Sequence, residues 1–369
     1  MQNESMWIPF DTVERFMKDA LVALGVPADE AAICADVLIE ADKRGIDSHG
    51  ANRFKPIYYD RIKAGIQFPV TEYEIVREGP TTMVVDGHHG MGMVVAKRAM
   101  QTAIDKARLY GMGMVAVRNS THYGIAGYYA TMATSQGMIG VTGTNARPSI
   151  APTFGVENML GTNPLTFGIP TDEAFPFVLD CATSIVQRGK IEYYARVGKD
   201  TPAGQVIDQD GNIRTDSEGI LEDLTRGTAA LTPLGGAGED MAGYKGYGYA
   251  TVVEILSAAL QQGNFLKMLT GLQDGKKVPY GLGHFFIAID VAAFTEPEDF
   301  RRTTGDILRE LRASKKAPGE ERIYTAGEKE YLARQAREGK GVPFTPGVMK
   351  EFVEVRDALG LSDYRFPFE

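Results

Sequence analysis

Two short stretches of this chain concentrate side chains that move protons and hold anions. In the first, MGMVAVRNSTHYGIAGYY at 112–129, an apolar run at 114–117 empties into the polar turn Arg118-Asn119-Ser120-Thr121-His122, and the Tyr-Gly-Ile-Ala-Gly-Tyr-Tyr that follows opens a helix. Histidine has an unperturbed pKa near working pH, and catalytic groups are commonly mounted on loops that rigid elements position, so His122 is the candidate general base. In the second, Arg44-Gly45-Ile46-Asp47-Ser48-His49-Gly50 packs a cation, a carboxylate, a hydroxyl and an imidazole into one glycine-flanked turn, with Arg53 one helical turn beyond His49. That density suits a ligand contact; the plainer reading is a helix capped by Asp47 or Ser48, with Arg53 in solvent.

Positioning these groups requires helices before them and strands around them. Residues 10–24 carry apolar side chains at helical spacing, with Asp11 or Thr12 as the cap, and Gly25 with Pro27 ends the run. A second helix over 29–42 delivers the chain to the Ser48-His49 turn. Residues 72–86 alternate and turn like two short strands. Gly87-His88-His89-Gly90-Met91-Gly92 then leads into a helix through Ala107, a strand-turn-helix order that imitates the dinucleotide fingerprint. The strand after it ends in Arg118 and Asn119 and offers no acidic residue for a ribose. His88 and His89 lack partners at ligand spacing, so an exposed turn is expected there and no metal site.

Further along, two Thr-Asn pairs, Thr144-Asn145 and Thr162-Asn163, stand in proline-rich turns where such residues ordinarily shape the backbone, and Arg147 in the first turn is a candidate anion contact. A strand at 175–179 runs into Asp180-Cys181-Ala182-Thr183-Ser184 and a helix from about Ile185, which Asp180 or Thr183 would cap; a helix start is also a ready place for phosphate or ribose. Asp-Gly at 210–211 signals a surface hairpin. The glycine-rich GGAGEDMAGYKGYG at 235–248 precedes an apolar helix beginning at Thr251, and Lys245 within it completes the parts of a phosphate cradle; because Gly246 follows that lysine, a dinucleotide fits better than a triphosphate. The strand expected at 281–291 makes His284 a core histidine.

The whole chain narrows the possibilities. Its 369 residues exceed what one core usually serves, so two domains, or one with an appendage, are expected. A net charge of -9 and a pI near 5.3 disfavour nucleic acid and anionic membrane as partners. Two distant cysteines, Cys34 and Cys181, fit a reducing compartment, and the absence of a signal-like start or a long apolar run makes the cytoplasm the expected location.

Six ordered motifs, Asp-Ser-His-Gly-x-x-Arg at 47–53, Asn-Ser-x-His-x-Gly at 119–124, Gly-Thr-Asn-Pro at 161–164, Asp-x-Ala-Thr-Ser at 180–184, Gly-Tyr-Lys-Gly-Tyr-Gly at 243–248 and Pro-Gly-Glu at 318–320, together resemble the type-2 malate/L-lactate dehydrogenase family across essentially the whole chain. That family also holds ureidoglycolate, sulfolactate and diketogulonate enzymes and cyclic-imine reductases. The resemblance implies an α/β fold whose NAD(P)-binding mixed sheet is not a Rossmann fold, and makes the glycines at 87, 90 and 92 a decoy. It also implies a mainly helical domain, 1–78 with 300–369, contributing to the substrate pocket, and a cofactor domain over 79–299. The family's proton-transferring histidine falls on His122, which also borders the cofactor, and its substrate pocket falls on Ser48, His49 and Arg53. Its cofactor contacts fall on Asp180, Ala182, Thr183, Lys245, Pro318 and Gly319, with Asn163 of the Gly-Thr-Asn-Pro motif beside them.

The expected activity is a 2-hydroxy acid/2-oxo acid interconversion by hydride transfer, malate/oxaloacetate first, with L-lactate, sulfolactate, ureidoglycolate or diketogulonate as alternatives. NAD or NADP is the expected cofactor, NAD ranked first, and a homodimer the expected assembly. Two departures stand out: Cys181 replaces the usual methionine, and Arg147 occupies a position where a small or apolar residue is expected, which points to a second anionic group on the substrate. A rival of another class is a ligand-binding protein that keeps the scaffold; it would be expected to lack the base or the carboxylate clamp, and candidates for both are present.

Overall fold

The computed structural model describes residues 5–369. The first helix, α1 (Phe10–Ala23), starts directly after Pro9, so Asp11 lies in its first turn rather than at its cap. Val13, Phe16, Met17, Ala20 and Leu21 recur at helical spacing and are all buried. They pack on α2 (Ala28–Lys43), and both join the C-terminal helix α6 (Pro346–Ala358) in one apolar cluster that also encloses Phe54, Tyr58 and Met91–Val94. Phe16 and Phe352 lie 5.0 Å apart, ring to ring, at its centre. This cluster carries the segment from Ser48 to Lys63.

The sheet holds seven strands. In chain order they are β1 (Glu74–Glu78), β2 (Thr82–Asp86), β3 (Met112–Ser120), β4 (Met138–Thr144), β5 (Leu165–Ile169), β6 (Phe177–Cys181) and β7 (Leu282–Asp290). Spatially the order is β1-β2-β3-β7-β4-β5-β6, so the strand of this sheet that comes last in the sequence is inserted at its centre. Only β2 and β3 run parallel, joined by helix α3 (Gly92–Tyr110); every other neighbouring pair is antiparallel. The fold is thus mixed α/β. Helix α4 (Ala126–Thr134) covers β4 and β5, and helix α5 (Gly243–Ala258) packs on β3, β4 and β7. A smaller cluster around Ile191, Val206, Ile220 and Leu231 supports the 206–214 hairpin, which forms as its Asp-Gly signal predicts.

Three local expectations need correction. Helix α5 begins at Gly243, eight residues before Thr251, which puts Lys245 in its first turn. The helix after β6 is Arg188–Arg196, so neither Asp180 nor Thr183 caps it; Asp180 lies within β6 itself. Nor do Asp47 and Ser48 cap a helix, because a 3-10 turn, Ala51–Arg53, follows Gly50 without a side-chain cap. A buried carboxylate from α2 does that work: Asp42 accepts the Ala51 N–H at 2.8 Å and fills the space that a Cβ on Gly50 would need. Among the described residues no helix is long and apolar enough to cross a membrane, and no group of histidine, cysteine and carboxylate is placed to hold a metal.

Candidate active site

His122 follows β3 by two residues, in a turn fixed from several sides. Asp86 accepts from Arg118 Nε and Asn119 Nδ2, both at 2.8 Å, and Asn119 takes the left-handed backbone conformation, φ 50°, that asparagine tolerates. Thr121 Oγ1 donates to Gly90 O at 2.8 Å and accepts the Gly92 N–H at 2.9 Å. A side chain on Gly92 would collide with the carbonyls of Thr121 and His122. The glycines that imitate a dinucleotide fingerprint therefore let the start of α3 press against the His122 turn.

One ring nitrogen of His122 faces the protein. Nδ1 lies 2.7 Å from the Tyr58 hydroxyl and 3.3 Å from the Gly124 N–H, while Nε2 has no protein partner and is left for a ligand. The His49 ring stacks beside it, centroids 5.9 Å apart, and the Ser48 hydroxyl is 2.9 Å from His49 Nδ1. Burial, then the nearby His49, Arg61 and Arg53, holds the pKa of His122 well below 6.5. Burial and Arg53 lower that of His49 to about 4. Both imidazoles rest neutral at pH 7, the form a base needs.

Tyr58 and Arg61 were invisible to pattern reading, and the backbone explains why. Residues Phe54–Tyr59 form a π-helical turn, whose i→i+5 bonding accommodates one residue more than an α-turn. With that surplus residue discounted, Arg53, Tyr58 and Arg61 stand at the equivalent of i, i+4 and i+7, a single helical face. Two-turn spacing read with an ordinary helical period would have split them.

The cations of this face lack carboxylate partners. Arg53 Nε donates only to Ser48 O, at 2.6 Å. The half-buried Arg61 guanidinium lies 4.4 Å from the Tyr280 ring centre and makes no hydrogen bond or ion pair among the described residues. Burial, with Arg147 and Arg53 nearby, pulls its pKa down. A cation–π contact worth roughly 0.5–2 kcal/mol offsets only part of the several kcal/mol that withdrawing a charge from water can cost. Arg147 is exposed and unpaired, because Glu157, the nearest expected partner, is 2.5 Å from Lys267 instead. His284 is a fully buried core histidine, stacked on Tyr123 at 4.5 Å and 2.7 Å from Thr144 Oγ1.

Beside this group lies a cavity of about 150 Å³ whose walls include Ser48, His49, Ile125, Thr162, Asp180 and Ala182. The structure thus brings the Ser-His turn and the Asp-x-Ala-Thr-Ser strand together. Asp180 accepts from Gly127 N in the first turn of α4 at 2.6 Å and from Thr166 Oγ1 at 3.0 Å. Thr183 donates to Asn163 O at 2.9 Å and its own carbonyl accepts from Leu234 N at 2.8 Å, while Gly246 lets the first turn of α5 close against Leu234. Lys245 is exposed on that turn. Asn163 is enclosed beneath the wall, donating to Glu254 at 2.7 Å and to Ala250 O at 3.1 Å. Pro318 and Gly319 lie exposed in an irregular segment.

A cavity this size suits a nicotinamide ring and its neighbouring ribose rather than a whole dinucleotide. Its lining combines apolar Ile125 and Ala182 with the Ser48 hydroxyl, the His49 imidazole and the Asp180 carboxyl, the mixture a nicotinamide and ribose would need.

The sequence profile described as malate/L-lactate dehydrogenase matches residues 8–353. The chain is 42% identical to a malate dehydrogenase of Pyrococcus horikoshii over 356 residues, 96% of each protein. It is 37% identical to an L-sulfolactate dehydrogenase of Methanocaldococcus jannaschii over 357 residues, 95% of this chain and 96% of the relative. The crystal structure of malate dehydrogenase from Entamoeba histolytica superposes with a TM-score of 0.93 at 44% identity, covering 99% of this chain and 100% of that one. With its profile, its relatives and its fold in agreement, the chain belongs to the malate/L-lactate dehydrogenase family.

Proposed function

We propose that this protein interconverts a 2-hydroxy acid and a 2-oxo acid with NAD(P), malate and oxaloacetate first. The observation that carries the reading is the union of a proton-transfer histidine, unpaired arginines and a small cavity within one cleft. Hydride exchange is the chemistry a nicotinamide supplies when bound. The chain's own work is to fix the acid and handle the proton. Arg53 clamps the C1 carboxylate, and Ser48 with His49 orients the reacting oxygen. In oxidation, neutral His122 takes the hydroxyl proton at Nε2. With Nε2 open to accept, the ring proton sits on Nδ1 and the Tyr58 oxygen accepts it, which fixes the tautomer before and after proton transfer. An anionic substrate screens Arg53 and Arg61, raises the pKa of His122 and lets it hold the proton that reduction needs.

Asp180, Ala182 and Thr183 with Lys245 form the proposed cofactor wall, and Asn163 supports it from beneath. Pro318 and Gly319 join the cofactor's outer part. The scaffold fits a cofactor mode other than Rossmann, since a single parallel strand pair provides no doubly wound switch point. The helical part about α1, α2 and α6 is assigned to the substrate and the sheet to the cofactor. The exposed, unpaired Arg147 is a further proposed anion contact. A homodimer accounts for the apolar groove of about 720 Å³ that runs along α5 past Ile255, Phe265 and Met268. Two free cysteines agree with the cytoplasm.

The test is a spectrophotometric panel following NADH and NADPH oxidation with oxaloacetate, pyruvate, sulfopyruvate, 2,3-diketogulonate and a cyclic imine. Rapid turnover of one keto acid is expected. Failure to bind either cofactor would sink the dehydrogenase reading.

A further inference from the structure

We propose that Arg61 is the specificity-determining residue for the end of the substrate remote from the reacting carbon, selecting dianionic 2-oxo acids, with a carboxylate or sulfonate there, over monoanionic ones. The inference rests on the 2-oxo acid reading and adds to it the group that recognises the distal anion.

Three independent features converge. The surplus residue of the Phe54–Tyr59 turn brings Arg61 onto the helical face that holds Arg53 and Tyr58, the face from which Tyr58 reaches His122. Tyr280 braces it from one side at 4.4 Å, and a planar cation held against a ring keeps its edge N–H groups free for a planar or tetrahedral oxyanion. No carboxylate of the described chain neutralises it, although acidic residues outnumber basic ones by 48 to 39. The half-buried arginines away from the cleft are supplied with carboxylates, among them Arg98 with Glu30, Arg118 with Asp86, Arg214 with Asp223 and Arg337 with Asp47. A guanidinium left alone between Arg53 and Arg147 is arranged for an anion that arrives from outside.

Two cations of the cleft then divide the work. Arg53 binds the C1 carboxylate that every 2-oxo acid carries, and Arg61 binds what only some carry. Loss of Arg53 therefore weakens all substrates, whereas loss of Arg61 changes their ranking.

The experiment measures kcat/KM for oxaloacetate and pyruvate in the wild type, Arg61→Met, Arg61→Lys and Arg147→Ala. Methionine keeps the length and the packing on Tyr280. The oxaloacetate-to-pyruvate ratio is expected to fall roughly 100-fold in Arg61→Met, through the KM of oxaloacetate, with pyruvate within a few-fold of wild type. Arg61→Lys keeps the charge without the fork and should lower the ratio about tenfold. Should Arg61→Met not fold, the lysine variant decides alone. An unchanged ratio in both variants, or a fall in Arg147→Ala with none in Arg61→Met, overturns the assignment while leaving the 2-oxo acid reading in place. A wild type inert to both acids, and to the wider panel, overturns both.

Discussion

The two walls of the cleft are built differently. On the substrate wall, His122 is held by Tyr58 and stacks beside His49, Arg53 is tied to Ser48 O and Arg61 packs on Tyr280, while Phe54 and Tyr58 are fully buried in the helical cluster. On the proposed cofactor wall, Asp180 is bound to Gly127 and Thr183 to Asn163, but Lys245, Pro318 and Gly319 are exposed. Preorganisation is concentrated where charge develops in the transition state, and the remainder is left to binding. The comparison predicts that damage to the first wall costs rate and damage to the second costs affinity.

The sharpest way to break that division is His122→Ala. Its kcat is expected to fall roughly a thousandfold, with the NADH dissociation constant, read by fluorescence, almost unchanged. A variant within a few-fold of wild type would remove His122 from proton transfer. Next in size, Arg53→Gln should lower kcat/KM for oxaloacetate and pyruvate alike by about 100-fold, since both present the carboxylate it clamps. Unequal losses would show that the arginines are not specialised. On the opposite wall, Lys245→Ala should weaken NAD(P)H binding about tenfold while kcat at saturating cofactor stays close to wild type. A collapse of kcat there would mean that the cofactor wall also shapes the transition state.

The smallest expected effect concerns pH. Because burial, and then the neighbouring Arg61 and Arg53, hold the pKa of His122 below 6.5, the acid limb of kcat/KM for hydroxy acid oxidation should lie below the ordinary histidine value. Removing one cation favours the protonated form, so Arg61→Met should move this limb upward. A pH-rate profile checks the sign, and a downward move would contradict the arrangement of charges.

Legibility in the sequence followed the same division. His122, Ser48, His49 and Arg53 could be singled out because a hydroxyl, two imidazoles and a guanidinium fall in two short glycine-flanked segments, and the ordered motifs tied them to a family. The two N-terminal helices were readable from their apolar period, although α1 starts without the expected cap. The start of α5 was not, because glycine has poor helix propensity and the helix begins there through close packing of Gly243 on Gly236 and of Gly246 on Leu234. Gly87, Gly90 and Gly92 show how a composition signal misleads: Gly92 lets α3 approach the His122 turn and Gly90 packs on Thr71, so glycine serves close backbone packing there as it would a phosphate elsewhere. Arg61 was lost because the period of the segment changes midway, which no fixed-period template can follow.

The π-helical turn at Phe54–Tyr59 makes substrate recognition sensitive to chain length as well as to side chains. Deleting a single residue within 54–57 would restore an unbroken α-helical count and rotate everything downstream by about 100°. Tyr58 would leave His122 and Arg61 would leave the cleft together, with no functional side chain replaced. Relatives that differ in substrate by one anionic group could thus be separated by an insertion rather than a substitution, a change in phase that comparison of residue types alone would overlook.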